Sequence, residues 1–514
     1  MSFEHASFHD VFLPGILTNW ATPNVCTCRL SYQQHSFPGT VRSSMRTAFR
    51  LLLLLFTLSV TLVAQVNYNY TGQTSSSFQA LDVASADFNR DGIPDLVGGT
   101  ENAVDVMLAT SKGVYGAKTT YPLPFNPSHI ETPDVNNDGY PDLVIASADA
   151  NSQVMILLNN GNGTFRVGTP ITPVAQLQGW VSAGDLNNDG NVDLVVREQL
   201  STSSQFAIYL GHGDGTFTAG QVLNMAHFSS YPLIEDFNGD GKLDIANVEG
   251  TKALIWPGTG KGTFGVPTSI PAIGRFDDFT AGDFNNDGIL DLAIVYSNVC
   301  GDACPGPNNN RVYVFKNNGK AHFTLASTTD FGGCSAGFPM AADVNGDGNV
   351  DINVVGPSHF CGFSVVGLGN GAGGISTQVA GPSGDITSTL FYRDLNLDSR
   401  HDVVYSDVAG GDYVVGLATS GITNCAPPPS SSVMAKICSP VSTTTSPFVL
   451  HASGNSPSGI KRLEVWIDGV KKYQRWNDQV AKSFTLTPGT HHVSVIAVDK
   501  YKGTGTSNVT LTVK

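Results

Sequence analysis

Carboxylates recur along this chain at a spacing suited to one kind of chemistry, the coordination of a hard cation. The first cluster is Asp87, Asn89, Asp91 and Asp95, set in the run Asp87-Phe88-Asn89-Arg90-Asp91-Gly92-Ile93-Pro94-Asp95. The set returns as Asp134, Asn136, Asp138 and Asp142; Asp185, Asn187, Asp189 and Asp193; Asp236, Asn238, Asp240 and Asp244; Asp283, Asn285, Asp287 and Asp291; Asp343, Asn345, Asp347 and Asp351; and Asp394, Asn396, Asp398 and Asp402. Side-chain oxygens therefore occupy positions 1, 3, 5 and 9 of a shared Asp-x-Asn-x-Asp-Gly-x-x-Asp pattern. Alternate residues of a tight turn can face one centre. A backbone carbonyl near position 7 can complete the six to eight oxygens that calcium takes at about 2.3–2.6 Å. Gly at position 6 permits the positive φ of a sharp turn. The alternative for any one copy is a plain Asx-rich turn without metal. Seven copies in register favour up to seven calcium ions. An Asp/Asn cage that fills its own shell leaves no open position for substrate, so these ions are expected to be structural. An EF-hand is excluded, because position 12 of the first copy is Gly98 rather than Glu. The last copy departs, with Ser399 in place of Gly and Leu397 at position 4.

A second set lies five residues before each loop: Asp82, His129, Trp180, Tyr231, Asp278, Phe338 and Thr389. Aromatics beside carboxylates and an imidazole suit a carbohydrate or other polar ligand, which makes His129, Trp180, Tyr231 and Phe338 the candidate ligand-binding residues. The competing reading is that they plug a channel and pack between neighbouring sheets. Catalytic motifs fail on context. Gly258-Thr259-Gly260-Lys261-Gly262 has no Ser or Thr after its Lys, and no His-Glu-x-x-His occurs. His129 with Asp82 or Asp278 is the one base–acid pairing on offer, and no catalytic residue is assigned.

The elements that must position these residues follow from the repeat. Intervals between loops are 47, 51, 51, 47, 60 and 51 residues. Each interval has an apolar run into the loop, a β-rich run out of it such as Asp193-Leu194-Val195-Val196, a third run such as Ala207-Ile208-Tyr209-Leu210, a Gly turn and a fourth run. The turn reads Gly161-Asn162-Gly163-Thr164-Phe165, Gly211-His212-Gly213-Asp214-Gly215-Thr216-Phe217 and Gly260-Lys261-Gly262-Thr263-Phe264. Four short strands per repeat make an antiparallel sheet that cannot bury both faces alone. Seven arranged radially can, so the expected fold is all-β, a seven-bladed β-propeller over 65–424. Only two strands fit after the last loop, and residues 66–76 are expected to complete that blade. The stretch 425–432, with Pro427-Pro428-Pro429-Ser430, is a linker by composition. Residues 433–514 alternate as strands around an Asp468-Gly469 hairpin turn and are expected to form an Ig-like β-sandwich.

These residues resemble the FG-GAP/VCBS repeats of bacterial secreted proteins, which are similar to the integrin α-subunit propeller, and the C-terminal stretch resembles a bacterial Ig-like domain. The resemblance implies that each acidic loop joins the two innermost strands of a blade and holds calcium. The departures are Ser399 and the missing Gly turns near Thr110–Tyr115 and after Gly416.

Charge and compartment agree with this reading. Each loop carries three Asp, so 21 of the 43 acidic residues sit in the loops, and seven divalent ions would bring the formal charge from −15 to about −1. The acidity is a metal-site signature and argues against a nucleic-acid partner. A basic Met45-Arg46-Thr47-Ala48-Phe49-Arg50 precedes an apolar core ending at Ala64, so 45–64 reads as a secretory signal peptide and 1–44 as an upstream mis-annotated extension. No membrane span is expected in the mature chain. Cys26 and Cys28 fall in that extension. Of the remaining six cysteines, nearness in sequence pairs Cys300 with Cys304 and Cys425 with Cys438, leaving Cys334 with Cys361. The expected function is a secreted or cell-surface adhesion or binding module for glycan or protein. The alternatives are a propeller-based polysaccharide lyase or hydrolase, and a surface-layer component.

Overall fold

Each acidic loop is short and polar between two apolar runs, which makes it a turn between paired strands. The computed structural model describes residues 68–73 and 82–514, apart from 148, 150–152, 174, 201–202, 226–229, 271–275, 277, 298–309, 332–336, 357–362, 381–385, 408–411, 419–424 and 430. The extension 1–44, the segment 45–64 and Cys26, Cys28, Cys300, Cys304, Cys334 and Cys361 lie outside the described residues, and with them two of the three expected disulfides. The described residues are all-β. None of them forms a helix long and apolar enough to cross a membrane.

Seven four-stranded sheets are found among the described residues. Their first strands are Val83–Ala86, His129–Glu131, Gln176–Gly184, Leu233–Glu235, Asp278–Gly282, Gly337–Ala342 and Ile386–Arg393. Each runs into an acidic loop, and the second strand begins at or just beyond the Asp of position 9, as in Asp95–Thr100 and Asp193–Gln199. Strands follow one another across each sheet in chain order, except in the last. There Tyr68–Gln73 takes the fourth place, antiparallel to Asp412–Ala418 with Tyr68 opposite Ala418. Tyr68–Gln73, from before the first acidic loop, thus completes the final sheet, as its missing strand required. In the first sheet, where the Gly turn is absent, a small hairpin of Ala109–Ser111 with Val114–Tyr115 is inserted before the fourth strand.

The sheets bury both faces on one another. Successive sheets meet along their first strands in sequence order, except that Asp278–Gly282 of the fifth meets Asp244–Glu249 of the fourth, and Ile386–Arg393 comes back beside Val83–Ala86. The apolar clusters bridge adjacent sheets all the way round. Val144 and Ile156 of the second sheet pack with Val181, Leu194 and Tyr209 of the third. Leu96 and Met107 of the first sheet pack with Val404 and Val415 of the last. Second strands are accordingly apolar without alternation, and Leu143, Val144, Ile145 and Ala146 are wholly buried. Each Leu, Val or Ile among them contributes about 1.5–3 kcal/mol on burial. The arrangement is propeller-like.

Residues 434–513 form a three-stranded and a five-stranded sheet around one shared core, with Leu450 and Val480 from the first meeting Leu463, Val495 and Leu511 from the second. Asp468 and Gly469 make the expected hairpin with φ of 53° and 77°, the left-handed pair that a two-residue turn needs. Strands at Met434–Ser439 and Val470–Arg475 were not evident from the pattern, because their exposed faces carry Lys and Gln rather than strict alternation. The Cys425–Cys438 disulfide is formed, S–S 2.06 Å.

The Tyr68–Gln73 strand covers the free edge of Asp412–Ala418. A chain starting after Gln73 is expected to melt several degrees lower than one starting at Gln65, with a broader calorimetric transition; identical transitions would remove its closing role.

Candidate functional site

The acidic loops share one hydrogen-bond plan. In the first, Asp87 Oδ1 accepts the Asp91 amide at 3.1 Å and Oδ2 the Gly92 amide at 2.8 Å. Asn89 Oδ1 accepts the same Asp91 amide at 2.9 Å, so oxygens from positions 1 and 3 converge there. Asp91 Oδ1 accepts from Ile93 at 2.9 Å. The plan demands left-handed backbone at position 6, where Gly92 has φ 87° and Ser399 has φ 74°. Position 4 is also left-handed, at Arg90, Asn137, Asn188, Gly239, Asn286, Gly346 and Leu397. Its frequent Asn and Gly were the readable signal for this.

Position 9 does different work. Asp95, Asp142, Asp193, Asp244, Asp291, Asp351 and Asp402 are all 0 % exposed. One oxygen of each accepts the amide of position 2 in its own loop, from Phe88, Val135, Leu186, Phe237, Phe284, Val344 and Leu395, at 2.8–3.2 Å. The other accepts an amide at or just beyond the end of the third strand, from Ala109, Asn159, Gly211, Gly258, Asn317, Gly369 and Ala418, at 2.7–2.8 Å. Glycine is required at several of these donors; a Cβ on Gly211 would lie 2.1 Å from the Val192 carbonyl.

The donor chemistry of positions 1, 3 and 5 fits a hard cation, being oxygen throughout on adjacent side chains of one turn. Position 9 accepts two amides, one on each oxygen, as position 1 does, and each oxygen keeps a further lone pair. Among the described residues no three or more carboxylate, imidazole or thiol side chains converge on one point. An ion in such a loop must therefore draw on Asn and backbone oxygens as well. Burial pushes Asp87 up to about 6 and Asp95 up to about 7, against the pull of their amide partners, and neighbouring Asp91 adds to the rise. A cation placed in the loop would favour the charged forms.

The C-terminal sandwich belongs to the same compact unit as the sheets, and it rests on the acidic-loop side. Pro457 accepts the Asp87 amide, and Asn455 donates to the Gly92 carbonyl. Gln474 and Trp476 both donate to the Gly288 carbonyl at 3.2 Å. Gln479 donates to the Ser399 carbonyl. Lys461 pairs with Glu235 at 2.6 Å. His401 bridges the Asp343 carbonyl and Asp478 at 2.9 and 3.2 Å. Burial alone would lower this imidazole, but Asp478 outweighs that and holds it at about 9. The stretch expected to be a linker is packed too: Cys425 is buried, and Ser431 accepts from Arg90.

Between the first strands and the sandwich lies a cavity of about 560 Å³. Asp82, His129, Trp180 and Tyr231 line it together, and the sandwich adds Lys461, Trp476 and Lys500. His129 stacks on Trp180 at 3.7 Å between centroids, Trp180 on Tyr231 at 4.5 Å, and Tyr231 on Phe279 at 5.5 Å. The Tyr231 hydroxyl donates to the Phe279 carbonyl. Burial and the adjoining Asp278 carboxylate raise the Tyr231 phenol well above its ordinary value. Phe338 and Thr389 lie on first strands, with side chains outside the described residues. Asp82 accepts the Val83 and Ile130 amides at 2.9 and 2.7 Å. Burial pushes His129 down to about 3, and its Nδ1 is buried without a hydrogen-bond partner. A base that weak is poorly suited to abstract a proton at neutral pH. The sandwich residues were missed because nothing periodic marks them. The available signal was charge, since residues 433–514 hold ten Lys and Arg against four Asp and Glu.

Two outcomes follow. Asp193→Ala strands two buried amides and is expected to cost roughly 2–6 kcal/mol in denaturant unfolding, at about 1–3 kcal/mol each; the exposed Asp189→Ala should cost far less. Because the folded state refuses the His129 proton down to about pH 3 while the unfolded chain takes it below about 6.5, this residue lowers stability as pH falls from 6.5. The melting temperature of His129→Gln should therefore fall less than wild type between pH 7 and pH 5, and parallel curves would contradict this.

A family model for the FG-GAP-like repeat matches four times, over 87–145, 134–196, 185–247 and 236–294. No curated protein sequence matches the chain. Among solved structures the chain is similar to an Agrocybe aegerita lectin described as recognising non-reducing terminal N-acetylglucosamine, at 20% identity and TM-score 0.42, over 61% of this chain and 80% of the lectin. It is also similar to rhamnogalacturonan lyase YesW, at 14% identity and TM-score 0.41, over 70% of this chain and 75% of the lyase. A fibronectin(III)-like module structure from Clostridium thermocellum CbhA matches 16% of the chain at 23% identity and TM-score 0.15, with 97% of that module covered. The repeat matches begin at Asp87, Asp134, Asp185 and Asp236, the first residues of four of the acidic loops, so residues 87–294 carry four FG-GAP-like repeats.

Proposed function

We propose that this chain is an exported, calcium-stabilised binding module, a seven-bladed β-propeller with an Ig-like C-terminal domain, whose hub takes a polar ligand of saccharide size. The cavity carries this reading. Its volume of about 560 Å³ falls within the range of roughly 300–1,000 Å³ typical of small-molecule sites. Stacked Trp180 and Tyr231 offer the flat apolar surface that sugar rings pack on, and Asp82, Lys461 and Lys500 surround it with polar groups. A folded protein partner needs about 800 Å² of open surface on each side, which a recess roofed by the sandwich does not offer. Binding is preferred to lyase or hydrolase chemistry because His129 is a weak base and Asp82 is engaged by two amides.

Calcium is assigned to positions 1, 3, 5 and 9 of the loops, with a structural role. An ion at 100 times its dissociation constant adds about 2.7 kcal/mol per site. Removal by a chelator is therefore expected to lower the melting temperature sharply, and an unchanged melting temperature would sink the assignment. The ligand reading is tested on an array of neutral and acidic oligosaccharides. At least one should bind, and Trp180→Ala with Tyr231→Ala should abolish it. If binding is retained while the melting temperature falls, the aromatics are packing residues and the hub reading is wrong.

A further inference from the structure

We infer that the sandwich supplies the counter-charge of the third and sixth acidic loops through Lys502 and Arg475, so that these two loops exclude calcium while the sandwich is docked. The inference rests on the calcium reading above and narrows it to particular loops.

The Lys502 ammonium is held by three oxygens of the third loop: the Asp185 carbonyl at 3.0 Å, Asp185 Oδ2 at 3.2 Å and Asn188 Oδ1 at 2.8 Å. Of the three, Asp185 Oδ2 is an oxygen assigned to calcium, so the ammonium competes for that position-1 carboxylate directly. The turn that delivers it is built for the purpose. Lys502 adopts φ 69°, left-handed and unfavourable for Lys. Asp499 Oδ1 fixes the turn by accepting the Tyr501 and Gly503 amides at 3.0 and 2.6 Å. The Tyr501 hydroxyl meets Glu131 Oε2 at 3.4 Å, which anchors the same turn to the second sheet.

Arg475 ends the strand Val470–Arg475 and is 5 % exposed. Its guanidinium donates to Asp343 Oδ2 at 2.9 Å, the oxygen that also accepts the Gly348 amide at 3.0 Å. The position-1 carboxylate of the sixth loop is thus gripped by a buried cation. Elsewhere the sandwich treats the loops differently. It meets the first, fifth and seventh through backbone groups and the position-8 imidazole. Position-1 carboxylates accept their own loops' amides in all of these loops, the third and sixth included. What differs is that, among the described residues, no sandwich cation is hydrogen-bonded to Asp87, Asp283 or Asp394, Arg475 acting on Asp283 only through space. A divalent ion a few ångströms from a fixed ammonium or guanidinium meets repulsion that grows as distance shrinks. The third and sixth loops therefore each hold one cation or the other, whereas Lys242 and Arg400, which pair with the position-5 carboxylates of the fourth and seventh loops, belong to the loops themselves and are exposed enough to swing into solvent.

The test counts calcium bound per chain, by elemental analysis and titration calorimetry on chelator-stripped full-length protein. Wild type is expected to bind no more than five ions, and Lys502→Met with Arg475→Met two more than wild type. Lys502→Arg, which keeps the charge, should match wild type. Should the double variant fail to fold, Lys502→Met alone, at a part-exposed side chain, is expected to gain one ion. Six or seven ions in wild type, or equal counts in wild type and the Met variants, would overturn the inference. If no protein in the series binds calcium, the calcium reading itself falls, and this inference with it.

Discussion

The structure depends on seven carboxylates that never reach solvent. Each closes a triangle between its own strand, the start of its loop and the far end of the third strand. A buried carboxylate is costly unless its lone pairs are used, and here two amides use them. The position-2 residue then links sheets. The Val135, Leu186, Phe237 and Phe284 carbonyls accept the Gly215, Gly262, Ala321 and Gly373 amides from the Gly turn of the next sheet. The Phe88 carbonyl accepts the Asn159 side chain instead. One residue thus donates inward to its own Asp and accepts from its neighbour, and this fixes the register of successive sheets. The apolar clusters between sheets supply the driving force; these bonds decide where each sheet stops sliding.

A ring of acidic loops on one side creates an electrostatic problem that the chain meets from two directions. Loop amides satisfy the carboxylates locally, and the basic sandwich satisfies part of the remaining field. The two halves are complementary in charge, since the chain as a whole stands at −15 while residues 433–514 carry an excess of Lys and Arg. Docking has a second effect. It roofs the space between the first strands, so the hub residues face a chamber rather than an open channel. This explains how His129 is surrounded by protein yet borders a cavity.

Most of the fold was legible because it is written locally. The period near 51 residues, the Gly turns and the apolar second strands mark the sheets one at a time. The chain-end strand was legible by elimination, since one sheet lacked a partner. The candidate site was legible only in part. Spacing placed Asp82, His129, Trp180 and Tyr231 at one level of the hub, but could not show that three of them would stack. Phe279, which extends that stack, sits one residue off the chosen register.

The amino-acid sequence by itself determined the all-β class, the loop at every first turn and the glycines that let it bend. It did so because strand periodicity and turn chemistry depend on residues a few places apart. Tertiary structure alone decided that position 9 is a clamp, that Lys502 reaches Asp185 from 317 residues away and that Arg475 reaches Asp343. Such contacts leave no period in the chain. Their partners are chosen by which surfaces meet once every sheet has already formed.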